Sequence, residues 1–354
     1  MKNRMLAGLV ILAALFVLVA ALGLRTPLPA AARQAGTPSP TPFPTPFPTL
    51  VPVGDLAIIA ADYPRVDGST STLPLQRLAA CQILGASCVW LEGFFGPERW
   101  IAHLLTEGEP ITPAIEVLNT LQHTGTHESY LNLIGGTADL ILVARAPSDD
   151  ELTLAETEGV ELDVRPVALD AFVFLVNAGN PVDDLGLDAI RGIYTGAITR
   201  WSELGVDERL SDDPDNPIHA YLRDPNSGSQ ELMEALVMQG RPMIDAPDMI
   251  LETMIGPINA ISTDAAGIGY SVYYYATVIN PDEGVKLLAI EGVPPQAATI
   301  AGRQYPLTAE VVVVVRADTP ADSTAALLRD WLLGAEGQRT VADSGYVPLA
   351  GEQQ

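Results

Sequence analysis

Three stretches of this chain put hydroxyl side chains and glycine together where a helix should begin. They are Gly68-Ser69-Thr70-Ser71-Thr72-Leu73-Pro74-Leu75, Thr124-Gly125-Thr126-His127-Glu128-Ser129 and Arg223-Asp224-Pro225-Asn226-Ser227-Gly228-Ser229. A helix start leaves about four backbone N–H groups without partners and carries a partial positive charge. Hydroxyls add short donors to that set, and glycine lets backbone approach a ligand closely. Taken singly, each serine or threonine is an ordinary helix cap. Arg223 sharpens the third stretch, because a guanidinium ending a strand forks two N–H groups onto an oxyanion already held by the helix start. Capture of a small oxyanion is the chemistry that these residue types predict.

For the three turns to act together, the chain between them must alternate strand and helix. Short apolar runs predict strands at Leu56–Ala60, Leu140–Ala144, Ala171–Asn177, Ile218–Arg223 and Glu310–Val315. Periodic apolar positions predict helices at Thr112–Leu121, Leu187–Tyr194, Gln230–Met238 and Ala325–Leu333. That alternation is an α/β architecture. At 354 residues the chain exceeds one ordinary compact core, so two lobes are expected.

Ahead of these elements lies Leu6–Leu24, an apolar run between Lys2 and Arg4 on one side and Arg25 on the other. As a helix it reaches about 29 Å, one hydrocarbon core. The leading positive charges keep that end cytoplasmic and place the remainder outside. The length of the run favours an uncleaved anchor, while Pro29-Ala30-Ala31-Ala32 keeps a cleaved signal sequence in view. Thr37–Thr49 then alternates proline with Thr, Ser and Phe, an extended spacer of about 40 Å. Residues 1–25 therefore read as a membrane anchor or signal sequence, and 26–55 as a Pro/Thr-rich linker.

Lys and Arg total 19 against 44 Asp and Glu, a formal charge of −25. Such acidity repels nucleic acid, and no basic stripe opposes it. It also repels an anionic ligand at long range, so an anion site must rest on local donors, which salt isolates from charge more than about 10 Å away. Cys81 and Cys88 belong to no CxxC or Cys/His cluster; they form a local disulfide in an oxidising compartment or stay as two thiols. The four histidines, His103, His123, His127 and His219, are scattered, and neither a metal nor a cofactor is expected. A hydrolase would need Ser227 as nucleophile and His127 or His219 as base, with no Gly-x-Ser-x-Gly elbow and no evident acidic orienter. Tyr273-Tyr274-Tyr275 and Trp201 read as core packing rather than a stacking platform.

Arg223…Ser227-Gly228-Ser229 resembles the Arg-x-x-x-Ser-Gly-Thr motif of the phosphate-binding proteins of the ABC phosphate transporter. Gly68–Leu75 is similar to that family's N-terminal Gly-Ser-Thr…Pro-Leu loop. Asn180-Pro181, Leu187–Tyr194-Thr195-Gly196 and Ile198-Thr199-Arg200-Trp201 resemble its central segment. Gly267-Ile268-Gly269-Tyr270 resembles a family turn, and Gln338 with Gly345-Tyr346-Val347-Pro348-Leu349 its C-terminal segment. The likeness runs in order from about residue 56 to 349. It implies a type II periplasmic-binding-protein fold in which two α/β lobes close on the ligand about a hinge. Lobe one would comprise residues 56–172 with 277–354, and lobe two 173–276.

Carried over, the resemblance implies that Thr72, or its neighbours Ser69, Thr70 and Ser71, binds ligand oxygens from lobe one together with Thr126. Arg223, Ser227, Gly228 and Ser229 would do so from lobe two. Relatives carry an aspartate after the strand that Leu140–Ala144 resembles, where this chain has Arg145. Either Arg145 faces the pocket, adding a cation and removing a proton acceptor, or it pairs with Asp149, Asp150 or Glu151 at the surface; family position favours the pocket. Pro225 stands where some relatives brace the arginine with an aspartate, and Ala79–Glu107 reads as an insertion. The expected protein is a monomeric, non-enzymatic receptor outside the cytoplasmic membrane, tethered or secreted. Its expected partners are phosphate or a similar oxyanion, and an ABC permease or membrane sensor. A tethered structural or adhesion module of the same fold, without a transport ligand, is the alternative.

Overall fold

The computed structural model describes residues 56, 58–92, 98–102 and 112–349. The apolar run Leu6–Leu24 and the segment Thr37–Thr49 lie outside the described residues. Within the described residues no helix is long and apolar enough to cross a membrane.

The elements in chain order are β1 (Val66–Gly68), α1 (Leu73–Leu84), β2 (Val89–Leu91), β3 (Trp100–Ala102), α2 (Pro113–Thr120), α3 (Thr126–Ile134), β4 (Leu140–Val143), α4 (Asp149–Glu158) and β5 (Leu162–Asn177). Then follow β6 (Asp184–Leu185), α5 (Leu187–Tyr194), β7 (His219–Ala220), β8 (Leu222–Arg223), α6 (Gly228–Leu232), β9 (Ile250–Leu251), α7 (Gly256–Thr263) and β10 (Gly267–Val272). The chain ends with β11 (Val285–Leu287), β12 (Ala289–Ile290), α8 (Ala297–Ala301), β13 (Thr308–Arg316), α9 (Thr324–Leu333), α10 (Ala335–Ser344) and β14 (Val347–Pro348).

β5 organises this arrangement. It is buried without interruption from Val167 to Val176, as a strand covered on both faces must be. Its first part, Leu162–Ala171, pairs antiparallel with β13, which in turn pairs with β4, and β4 runs parallel to β1. Its second part, Phe172–Asn177, pairs antiparallel with β10 and β11. One strand thus serves two sets of partners, changing at Ala171/Phe172. β11 and β12 accompany the second set, since β12 pairs with β6.

Several predicted elements shift. The described residues of Leu56–Ala60 form no strand: Ala60–Asp62 makes a short 3-10 turn, and β1 is the later Val66-Asp67-Gly68, whose partner is Leu140–Leu142. Apolar content alone does not supply the neighbouring strand that a ladder needs. Ile218–Arg223 divides, β7 pairing with β10 and β8 with β9, so that Arg223 leaves the central sheet. Gly267–Tyr270, read as a turn, lies inside β10. The helix expected at Gln230–Met238 starts at Gly228 and widens to a π-helical turn over Met233–Met238. Cys81 and Cys88 are joined as a disulfide between α1 and the β2–β3 hairpin of the insertion. Arg77 ties that hairpin to α2, donating to the carbonyls of Ile101 in β3 (3.0 Å) and Leu118 in α2 (2.9 Å).

A carboxylate is buried where β5 changes partners. Asp170 Oδ1 accepts the N–H groups of Ala171 (2.8 Å) and, from beyond the end of β10, Tyr274 (2.9 Å). Burial pushes its carboxyl up to about 7, against the pull of those two donors. A raised carboxyl favours the fold when protonated: the contribution is complete below about 4 and is lost as pH rises through about 7. Asp170→Asn should therefore flatten the pH dependence of the melting temperature between pH 4 and 7, measured against the parent. An unaltered profile would show that Asp170 titrates normally.

Candidate anion-binding site

The three turns converge on one cleft of about 660 Å³. Ser69, Thr70, Ser71, Thr124, Gly125 and Thr126 line one side, and Arg223, Ser227, Gly228 and Ser229 the other. Of the residues expected from sequence, all but Thr72 and Arg145 meet here.

The first side is built on β1. Asp67, 2% exposed, accepts from the backbone N–H of Gly68 (2.7 Å) and Thr124 (2.9 Å), the Thr124 hydroxyl (2.7 Å) and Asn132 Nδ2 (2.8 Å). One carboxylate thereby ties the second turn to the first. Gly68 passes so close to β4 that a Cβ would stand 2.1 Å from the Leu142 carbonyl oxygen; only glycine fits. Ser69 Oγ accepts from Ala144 N–H (3.0 Å) and shares a 2.7 Å bond with Thr126 Oγ1. The Thr70–Thr72 3-10 segment and α3 both begin among the residues that line this side, and a helix start leaves its first N–H groups without helical acceptors.

The second side depends on Tyr270 of β10. Its hydroxyl accepts from Arg223 N–H (3.0 Å) and donates to Gln230 Oε1, clamping the end of β8 to the start of α6. Ser227 Oγ caps α6 by accepting from Gln230 N–H (3.2 Å). Arg223 is only 5% exposed; its Nη1 donates to the carbonyls of Leu251 (2.5 Å) and Thr253. Burial holds its pKa below the usual guanidinium value, with Tyr270, Tyr275 and Asp224 opposing. A cation stripped of water and braced on backbone carbonyls is arranged to receive an anion. The bracing that Pro225 removes is supplied by these carbonyls instead.

Thr72 and Arg145 stand elsewhere. Thr72 is fully buried, its hydroxyl directed at the carbonyls of Leu142 (2.6 Å) and Ser69 (2.9 Å) and accepting from Gln76 Nε2. Its role is to hold the turn. Thr72→Val should lower stability by about 1–3 kcal/mol by orphaning buried acceptors, with anion affinity unchanged; thermal melting beside calorimetry checks both. Arg145 turns away from the cleft onto Glu151, the pairing expected as its alternative, but buried rather than at the surface. The cleft carries acidic groups that sequence reasoning missed: Glu98, Glu128, Asp224 and Glu252 all line it. Glu98 comes from the insertion and accepts the Tyr275 hydroxyl. Isolated carboxylates carry no sequence signal of this placement, whether in loops or, like Glu128, in the first turn of a helix.

The hydrolase arrangement does not form. His219 and His127 do meet carboxylates, at Asp264 (2.8 Å) and Glu151 (3.1 Å), but among the described hydrogen bonds neither ring reaches Ser227. Trp201 is core, its Nε1 donating to Ala266 O (2.9 Å).

A mixed sheet shared through one long strand, with helix starts facing across a cleft, defines a two-lobed α/β binding protein. A family model described as a PBP superfamily domain matches residues 105–336, and the chain belongs to that superfamily, whose members are substrate-binding proteins. It is 28% identical over 199 residues to the phosphate-binding protein PstS of Bacillus subtilis, covering 55% of this chain and 61% of that one. To PstS of Pseudomonas aeruginosa it is 26% identical over 273 residues, covering 70% of this chain and 80% of the relative. Among solved structures, a putative phosphate ABC transporter substrate-binding protein with bound phosphate from Clostridium perfringens matches with TM-score 0.57 at 21% identity, over 80% of this chain and 98% of that one. An ABC-type phosphate transport receptor from Vibrio cholerae matches with TM-score 0.55 at 19% identity, over the same shares.

Proposed function

We propose that the protein is an extracytoplasmic solute-binding protein that captures phosphate or a closely related tetrahedral oxyanion for an ABC permease or a membrane sensor. The observation that carries this reading is the meeting of a buried, carbonyl-braced Arg223 with three hydroxyl-bearing turns in one cleft. Each charge-assisted bond contributes about 1.5–3 kcal/mol net, so five or six hold a desolvated anion at about micromolar affinity or tighter. The names of the relatives point to the same ligand. Acidic groups along the lining favour an anion that still carries a proton: its O–H donates to a carboxylate, whereas a fully ionised anion meets repulsion there. The two lobes divide on β5 at Ala171/Phe172, and the second lobe extends through β12 rather than ending at 276. No catalytic step is proposed, since the Ser227 hydroxyl serves as a helix cap.

Calorimetric titration of the full-length chain in detergent with phosphate, arsenate, sulfate and sugar phosphates tests the reading. Phosphate and arsenate should bind and sulfate should bind more weakly. No heat from any anion would leave a structural module of the same fold. Hydrolysis of a phosphate ester that disappears in Ser227→Ala would make it an enzyme.

A further inference from the structure

Behind the anion turns lies a charged group that ligand binding does not account for. Arg145 follows β4 and is 7% exposed. Its guanidinium makes two 2.8 Å bonds to Glu151 and an ion pair with Glu231 of α6. Glu151 is wholly buried and also accepts the Ser148 N–H (2.9 Å). His127 Nδ1 stands 3.1 Å from Glu151, and the Tyr130 ring lies 5.5 Å beneath the guanidinium. The ligand atoms of His127, Glu151 and Glu231 fall within 4.8 Å of one another, but Arg145 already pairs with both carboxylates, and a metal ion would have to compete with it.

Position and charge together suggest what this group does. Arg145, Glu151 and His127 stand on the side of β4 and α3, while Glu231 is one turn along α6 from Gly228. The pair therefore bridges the same gap as the contact between Gly228 and Thr126. Two carboxylates share one guanidinium here, Glu151 with its side chain wholly buried and Glu231 with 16% of its own exposed, so one negative charge is left over when the sides meet. Burying an uncompensated carboxylate is costly enough that taking a proton is the cheaper state. Glu151 holds a forked guanidinium and a backbone donor, whereas Glu231 has one ion pair, so the proton falls to Glu231.

We propose that closure of the cleft takes up a proton on Glu231 against Arg145, so that anion capture strengthens as pH falls through neutrality. This rests on the reading that the protein binds an anion between two halves that move. Burial, opposed by Arg145 and aided by the charge of Glu151, moves the Glu231 carboxyl up to about 7, with His127 pulling it down. With the cleft open, Glu231 faces water and keeps an ordinary glutamate value near ~4.3. A group raised in the closed form favours closure when protonated; that contribution is complete below about 4.3 and is lost as pH rises through about 7.

The test compares the full-length chain with Glu231→Gln, titrated with phosphate in two buffers of different ionisation enthalpy. At pH 6 the parent should take up about 0.9 proton more than the variant, and the ratio of parent to variant affinity should rise about tenfold from pH 8 to pH 6. Taking the ratio cancels the titration of phosphate itself. Carboxyl-carbon NMR of the parent labelled in glutamate gives a second reading without substitution: with saturating phosphate, one glutamate should titrate near pH 7. Equal proton counts in two proteins that both bind, or no glutamate titrating above pH 6, would overturn the inference alone. No heat from either protein at either pH would remove the anion-binding reading and this inference with it.

Discussion

Arg223→Ala should abolish measurable anion binding. The guanidinium is the formal positive charge on the cleft lining among the described residues, and no second cation is placed to replace it once Arg145 is committed to Glu151 and Glu231. Losing two charge-assisted bonds removes about 3–6 kcal/mol, a weakening of about 10²-fold to 10⁴-fold. The Nη1 bonds to the carbonyls of Leu251 and Thr253 go as well, so the variant should also melt earlier, ligand or no ligand. Arg223→Lys separates the two contributions: it keeps charge but not the fork, and should fall between parent and alanine variant. Calorimetry and melting on the three proteins decide the matter. An alanine variant that binds phosphate as the parent does would place the anion somewhere other than this cleft.

Gly228→Ala should be nearly as damaging, for a different reason. A Cβ at position 228 would stand 2.3 Å from Thr126 Oγ1 and 3.0 Å from Thr126 Cβ, across the cleft. Alanine otherwise suits the first turn of a helix, so the fold should survive and only the approach of the two sides should suffer. The expected result is an unchanged melting temperature without ligand and an affinity weakened about 100-fold, the effect of an overpacked contact of roughly 1–3 kcal/mol with the loss of adjoining donors. Thr126→Ala added to Gly228→Ala removes the nearer atom and should restore part of the affinity. Unaltered binding in the single variant would mean that these two helix starts do not face each other when the anion is held.

The resemblance of ordered motifs identified the fold class, and residue types alone pointed to the chemistry proposed for the cleft. Leu187–Tyr194 is a helix over the span that its periodicity predicts, and the predicted strands over Leu140–Ala144 and Glu310–Val315 lie close to β4 and β13. Those elements are long enough, or periodic enough, for local preference to decide them. β8 and β9 hold two residues each and owe their existence to each other, which no local window contains. The same distinction runs through the site. Ser69, Ser227 and Gly228 were recognisable because a helix start needs such residues whatever surrounds it, and Arg223 because it ends a strand just ahead of one. Thr72 and Arg145 were misplaced because a hydroxyl or a guanidinium has no sequence-level mark that says which side it faces. Tyr270 and Glu231 were missed because their partners, Gln230 with Arg223 and Arg145, are brought to them only by the fold.

The sequence by itself determined that this protein carries helix starts rich in hydroxyl donors, an arginine at a strand end and an alternating α/β order. Each of these follows from short-range sterics and hydrogen bonding within a few residues. Only the tertiary structure decided that the turns face one cleft, that Arg145 pairs with Glu151 and Glu231 instead of lining that cleft, and that acidic side chains share the lining. Those outcomes depend on desolvation and charge pairing between groups far apart in the chain, and such energies exist only once packing has removed the water between them.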